Sequence, residues 1–180
     1  MVSLDFDGGE RMIQKLRTDL VLKLSPIKLL IINADGLLTE NQTAYDFQNQ
    51  SFSNGQGVKD LKKLNVESIA ISSKKSEALS SILNRLGIEL LYQSVFQKEY
   101  LYTKLKFEHS VSDREIAYIG GELSDLSIIN QVSFPVAPAD AALEVKTKSY
   151  YVTYGSGENA VREVAELILK AKNHPNGFSK

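Results

Sequence analysis

The stretch Ile27-Lys28-Leu29-Leu30-Ile31-Ile32-Asn33-Ala34-Asp35-Gly36 decides the fold. Six residues of mostly β-branched or aliphatic character run without alternation and stop at a small polar cluster. A short continuous apolar run bounded by turn residues is the pattern of a strand buried on both faces, which parallel sheets require. Pro26 immediately before the run ends whatever precedes it.

Working outward, strand and helix patterns alternate to the C-terminus. A helix is expected over 55–64, a strand over 66–71, a helix over 76–86 and a strand over 89–92, with Gly87 suited to the helix end. Helix 97–108, strand 116–119, helix 122–131, strand 133–136, helix 140–146, strand 150–153 and helix 158–172 follow. Regular alternation predicts an α/β fold of three layers, a central parallel sheet with helices on both faces. Residues 40–54 are polar, with Tyr45, Phe47 and Phe52 as isolated anchors, and read as a loop or short hairpin. Before the fold, Met12, Ile13, Leu16, Leu20 and Leu24 sit near helical spacing, so residues 1–25 are expected to form an amphipathic helical extension to a domain over 26–173. The tail 174–180, with Pro175 and Gly177, is expected to fray.

Composition narrows the function classes. In 180 residues, 43% hydrophobic and 24% charged fractions are ordinary for a globular chain. Twenty-one basic against 22 acidic residues give a net charge of −1, too little for a broad footprint on nucleic acid or an anionic membrane. Cysteine is absent, which removes disulfides, thiolate metal sites and cysteine nucleophiles. Charged residues interrupt the first 25 positions, leaving no apolar core for a secretory signal, and no apolar run is long enough to span a bilayer. A cytoplasmic location is the expectation.

In open parallel sheets, ligands bind beyond the carboxyl ends of the strands. The informative residues there are Asn33-Ala34-Asp35-Gly36-Leu37-Leu38-Thr39, Ser72-Ser73-Lys74-Lys75, Lys98 at a helix start, and Gly120-Gly121-Glu122-Leu123-Ser124-Asp125. In order and spacing these resemble the four motifs of haloacid dehalogenase (HAD) superfamily phosphatases. The resemblance is greatest to the 3-deoxy-D-manno-octulosonate 8-phosphate (KDO 8-phosphate) phosphatase family and the similar C-terminal domain of CMP-sialate synthetases. It runs from about Ile27 to Asn173 and includes Ala137-Pro138-Ala139-Asp140-Ala141 and Ala160-Val161-Arg162-Glu163. It implies a HAD-like Rossmannoid domain with no large cap, a Mg²⁺ cofactor, a phosphorylated sugar acid as partner and a homo-tetramer. Segment 40–54, several residues shorter than the hairpin through which such relatives assemble, argues against carrying the tetramer over.

The resemblance also assigns roles. The first motif would read Asp-x-Asp-Gly, with the first Asp attacking phosphorus and the second moving the leaving-group proton. Asn33 stands at the nucleophile position, and an uncharged amide oxygen is a poor nucleophile and a weaker Mg²⁺ ligand than a carboxylate. Asp35 keeps the acid/base position. Ser72 and Lys98 keep the phosphate-binding hydroxyl and cation, while Lys74 replaces the family's Arg and exchanges a fork for a point charge. The fourth motif would carry a metal-holding Asp where Gly121 stands, leaving Asn33, Asp35, Glu122 and Asp125 as a weakened ligand set. Glu158 replaces an expected Arg and would repel a phosphosugar. The expected outcome is a phosphatase-like domain that is inactive or weakly active and serves in assembly or regulation. The alternatives are an active Mg²⁺-dependent sugar-acid phosphatase and a phosphosugar-binding module.

Plainer readings compete. Asp35-Gly36 also suits a strand-end turn, Glu122 and Asp125 suit a helix N-terminus, and Lys98 would by base rate be a solvated helix residue. Asp5-Phe6-Asp7-Gly8 spells the first motif better than the copy at 33, but no apolar strand precedes it, so context rejects it. His109 and His174 have no partner at ligand spacing and read as surface residues.

Overall fold

The computed structural model describes residues 19–35, 37 and 56–173. The decoy motif at 5–8, residues 9–18 of the expected N-terminal helix, the segment 40–54 and the tail 174–180 lie outside them. Residues 19–24 are helical and form α1. There follow β1 (Leu29–Asn33), α2 (Gln56–Lys63), β2 (Glu67–Ile71), α3 (Glu77–Leu86), β3 (Leu90–Tyr92), α4 (Lys98–Glu108) and β4 (Ile116–Ile119). The chain continues through α5 (Leu126–Ile129), β5 (Phe134–Ala137), α6 (Leu143–Lys148), β6 (Tyr151–Val152) and α7 (Glu158–Asn173).

Six parallel strands stand in the order β3-β2-β1-β4-β5-β6. Burial explains the unbroken apolar run of β1. With period-2 side chains, Leu30 and Ile32 enter the core under α2, α3 and α7, while Leu29 and Ile31 enter the core under α4, α5 and α6. The next strand does the same, with Ala117 and Ile119 on the first face and Ile116 and Tyr118 on the second. A sheet covered on both faces leaves β1 and β4 no polar side, so their residues are buried throughout. No large cap domain is present among the described residues.

Local chemistry sets the element ends. Ser76 accepts the Leu79 N–H at 3.2 Å to start α3, and Gly87 ends it at φ 82°, donating to the Leu83 and Asn84 carbonyls. Elsewhere the boundaries differ from expectation. The helix expected over 122–131 begins as a 3₁₀ turn, Leu123–Asp125, before the short α5, because the Asp125 carboxylate turns inward and takes the Glu122 N–H at 2.9 Å. The helix expected from 140 starts at Leu143, after a turn in which Ala141 N–H donates to the Pro138 carbonyl at 3.0 Å. At the sheet edge, β6 keeps two residues of the four expected.

The sheet order reverses direction between β1 and β4, which are adjacent although β2, β3 and their helices separate them in sequence. Loops leave the two strand ends on opposite faces and open a crevice there. The site-bearing motifs at Asn33 and Gly120 sit at that switch point. Because β1 is central and Leu30 is fully buried, Leu30→Ala should cost about 2–5 kcal/mol of unfolding free energy, read as a lower urea midpoint at unchanged slope.

Candidate functional site

Asn33 is the last residue of β1 and is fully buried. A buried amide must satisfy both ends. Its oxygen accepts the Asp35 N–H at 3.1 Å, and its Nδ2 donates to both Asp125 oxygens at 3.0 Å and to Glu122 Oε2 at 3.5 Å. That orientation is forced: turned the other way, the amide oxygen would face carboxylate oxygens and the NH₂ would face an N–H.

Asp125 is also fully buried. Besides Asn33, its Oδ1 accepts the Lys98 ammonium at 2.9 Å and the Tyr118 hydroxyl at 2.7 Å, and its Oδ2 accepts the Glu122 N–H. Burial, then the Asp125 charge and hydrogen bond, push the Tyr118 phenol well above its ordinary range, so it stays protonated and donates. Gly120 permits this crowding: a Cβ there would lie 2.6 Å from both Asp125 Oδ2 and the Tyr118 ring. Gly121 is different, since a Cβ would meet only ordinary contacts at 3.6 Å with Ala141 and Pro138.

Lys98 opens α4, yet only 9% of its side chain is exposed. Its ammonium has three protons and three acceptors: Ser124 Oγ at 2.8 Å, Asp125 Oδ1 at 2.9 Å and Glu122 Oε2 at 3.3 Å. The solvated-helix reading of Lys98 therefore fails. Asp35 faces the end of β2, where the Ser72 hydroxyl donates to Oδ1 at 2.6 Å and the Ser73 N–H to Oδ2 at 2.7 Å. Burial alone would raise the Asp35 pKa, but these hydrogen bonds and the Lys98 charge outweigh it and hold the carboxyl below its ordinary value.

The structure thus brings together Asn33, Asp35, Ser72, Lys98, Glu122 and Asp125, with Gly121 beside them. Lys74 stands apart: its N–H donates to Ser72 Oγ at 3.0 Å, but the side chain is exposed and does not line the cleft. Glu158 also does not line it. Its carboxylate is buried in α7 and engaged by Arg85 and Arg162, so the expected repulsion of a ligand is answered by two guanidinium groups. His109 lies outside the site, with Nδ1 2.9 Å from Glu67.

A cleft of about 500 Å³ opens over this floor, between Asp35, Ser73, Lys98 and Glu122 and an outer lip of Phe96 and Tyr100. Those two aromatics are 83% and 71% exposed. Sequence reasoning missed them and missed Tyr118. The signals existed: Phe96 just before α4 and Tyr100 in its first turn are aromatic residues among polar ones, and a tyrosine inside an apolar strand needs a partner for its hydroxyl. A smaller cavity of about 110 Å³ lies on the other side of Asp35, lined by Leu37, Gly121, Glu122, Pro138, Asp140 and Ala141.

Among the described residues no group of three or more His, Cys, Asp or Glu side chains is arranged to hold a metal ion. Nor is any of their helices long and apolar enough to cross a membrane.

No protein-family model matches the chain. The 3-deoxy-D-manno-octulosonate 8-phosphate phosphatase of Yersinia pestis is 31% identical over 165 residues, covering 88% of each chain. Its crystal structure superposes with a TM-score of 0.72, covering 90% of this chain and 92% of that one. A Legionella pneumophila protein assigned to the HAD superfamily (subfamily III A) hydrolases is 30% identical, with a TM-score of 0.76 and coverages of 93% and 94%. The Moraxella catarrhalis phosphatase, solved with magnesium, phosphate and KDO, is 28% identical with a TM-score of 0.74, covering 88% of this chain and 95% of that chain. Taken with the parallel sheet and the strand-end residues at its switch point, these likenesses make the chain a member of the 3-deoxy-D-manno-octulosonate 8-phosphate phosphatase family of the HAD superfamily.

Proposed function

We propose that this chain is a cytoplasmic phosphatase-like domain with a degenerate catalytic site, weakly active or inactive in hydrolysis, serving assembly or regulation in sugar-acid metabolism. One observation carries the reading: the residue at the nucleophile position is an amide that donates to Asp125 rather than a carboxylate aimed at phosphorus.

Covalent attack needs a charged oxygen, and Asn33 has none to offer. Its amide oxygen already accepts a backbone N–H. Leaving-group protonation needs a proton on Asp35, yet the hydrogen bonds from Ser72 and Ser73 favour its ionised form. Magnesium, which the Moraxella relative binds, fits this donor set poorly. An octahedral ion wants several free oxygens, whereas both Asp125 oxygens and both Asp35 oxygens accept donors and Gly121 supplies none. Glu122 alone keeps a half-exposed carboxylate. Without a cation, Asp35, Glu122 and Asp125 set three carboxylates against one ammonium, a poor seat for a phosphate dianion. The phosphate-binding role of Ser72 and Lys98 is weakened for the same reason, since their protons are committed to internal acceptors.

The alternative, an active Mg²⁺-dependent sugar-acid phosphatase, draws on the named activity of the relatives and on the surviving Asp35, Ser72 and Lys98. A phosphate-release assay on KDO 8-phosphate with Mg²⁺ separates the two. The wild type should stay far below an ordinary turnover of about 1 s⁻¹, and Asn33→Asp/Gly121→Asp should gain activity, because position 121 has room for a side chain. Wild-type turnover at ordinary rates would refute the proposal.

Acid stability tests the state of Asp35. A carboxyl with a depressed folded pKa contributes stability above its unfolded pKa of about 3.9 and loses it as pH falls through the folded value. Unfolding free energy of the wild type should therefore drop on acidification below about pH 4, and Asp35→Asn should drop less over that interval. An equal fall in unfolding free energy for the two proteins over that pH interval, measured by urea titration at each pH, would contradict an ionised, hydrogen-bonded Asp35.

A further inference from the structure

We propose that the Asn33 amide, beside the Lys98 ammonium, satisfies Asp125 with no divalent cation, so that the strand-end network is assembled and stable without metal. The inference extends the reading above from turnover to cation dependence.

A fully buried carboxylate must be neutralised or surrounded by donors. Asp125 receives the Lys98 ammonium at 2.9 Å, the Tyr118 hydroxyl at 2.7 Å, the Glu122 N–H at 2.9 Å and the Asn33 amide on both oxygens at 3.0 Å. The amide is the decisive member. A carboxylate at position 33 would put one oxygen in place of Nδ2, 3.0 Å from both Asp125 oxygens, and such a cluster is tolerable only with a further cation against it or a proton shared. The amide turns that repulsion into two hydrogen bonds. Lys98 supplies the positive charge and extends it to Glu122 at 3.3 Å. The result ties β1, the turn after β4 and the start of α4 into one unit around Asp125.

This predicts a reversal of cation dependence by single substitutions. Asn33→Asp adds a carboxylate to the cluster, and Lys98→Met removes its ammonium. Each should create a demand for a divalent cation that the wild type lacks. The experiment is Mn²⁺ titration followed by electron paramagnetic resonance, beside thermal unfolding in EDTA and in about 5 mM MgCl₂. The wild type should leave Mn²⁺ free at submillimolar concentration and melt within about 1 °C in the two buffers. In EDTA, Asn33→Asp should melt about 5 °C or more lower than the wild type, and both variants should be stabilised by Mg²⁺.

Submillimolar Mn²⁺ binding by the wild type would overturn the proposal, as would a metal response in neither variant. Should Asn33→Asp fail to fold, Lys98→Met and the wild-type titration still decide. Phosphate release by the wild type in EDTA would defeat the proposed loss of hydrolysis and leave this inference intact. Mn²⁺ binding without turnover would do the reverse.

Discussion

A carboxylate with no contact with solvent has to be answered where it stands, and at Asp125 five hydrogen bonds answer it. They come from four parts of the chain: the end of β1, the strand β4, the turn that follows it and the start of α4. Each contributor has a second task. Tyr118 fills the core on one face of the sheet, Lys98 begins a helix, and the Glu122 N–H opens the 3₁₀ turn before α5. The site and the packing therefore share one electrostatic problem. Removing one donor would leave a buried charge short of partners, a larger loss than a single exposed ion pair represents.

The apolar packing itself makes no demand on the chemistry of the strand ends. The six-strand sheet rests on Leu29 to Ile32, Ile69 to Ile71, Ile116 to Ile119 and the helices that cover them, and none of that apolar area depends on a nucleophile. What the strand ends must do is satisfy their own polar groups. An aspartate would need a further cation to satisfy them, and here an asparagine beside the lysine does so. Fold and family membership thus say less about activity than the protonation and orientation of a few side chains.

Much of the architecture was legible because it follows from periodicity. The continuous run at 27–32 requires two buried faces, and alternation with helices requires parallel strands. Ser76 and Gly87 marked the ends of α3 by their chemistry alone. Other features depended on groups distant in sequence. The 3₁₀ turn at Leu123–Asp125 forms because Asp125 turns toward Tyr118 and Asn33, which no local pattern reveals. For Lys98 the sequence left a phosphate-binding role and a solvated helix position side by side until its three acceptors were in place, and Glu158 looked like a repulsive charge until Arg85 and Arg162 met it. Long-range polar pairing, unlike hydrophobic period, leaves no local trace. The substitutions at 33 and 121 were readable as departures from a pattern, but what the amide at 33 does in place of a carboxylate needed coordinates.

The central claim is that the Asn33 amide, with the Lys98 ammonium and no metal ion, answers the buried charge of Asp125. A crystal structure of the wild type grown with Mn²⁺ and phosphate, with anomalous data collected at the manganese edge, tests it most directly. The account predicts Asn33 Nδ2 within hydrogen-bonding distance of both Asp125 oxygens and no anomalous peak beside them. A manganese peak seated against the Asn33 amide oxygen, with the amide turned away from Asp125, would contradict it.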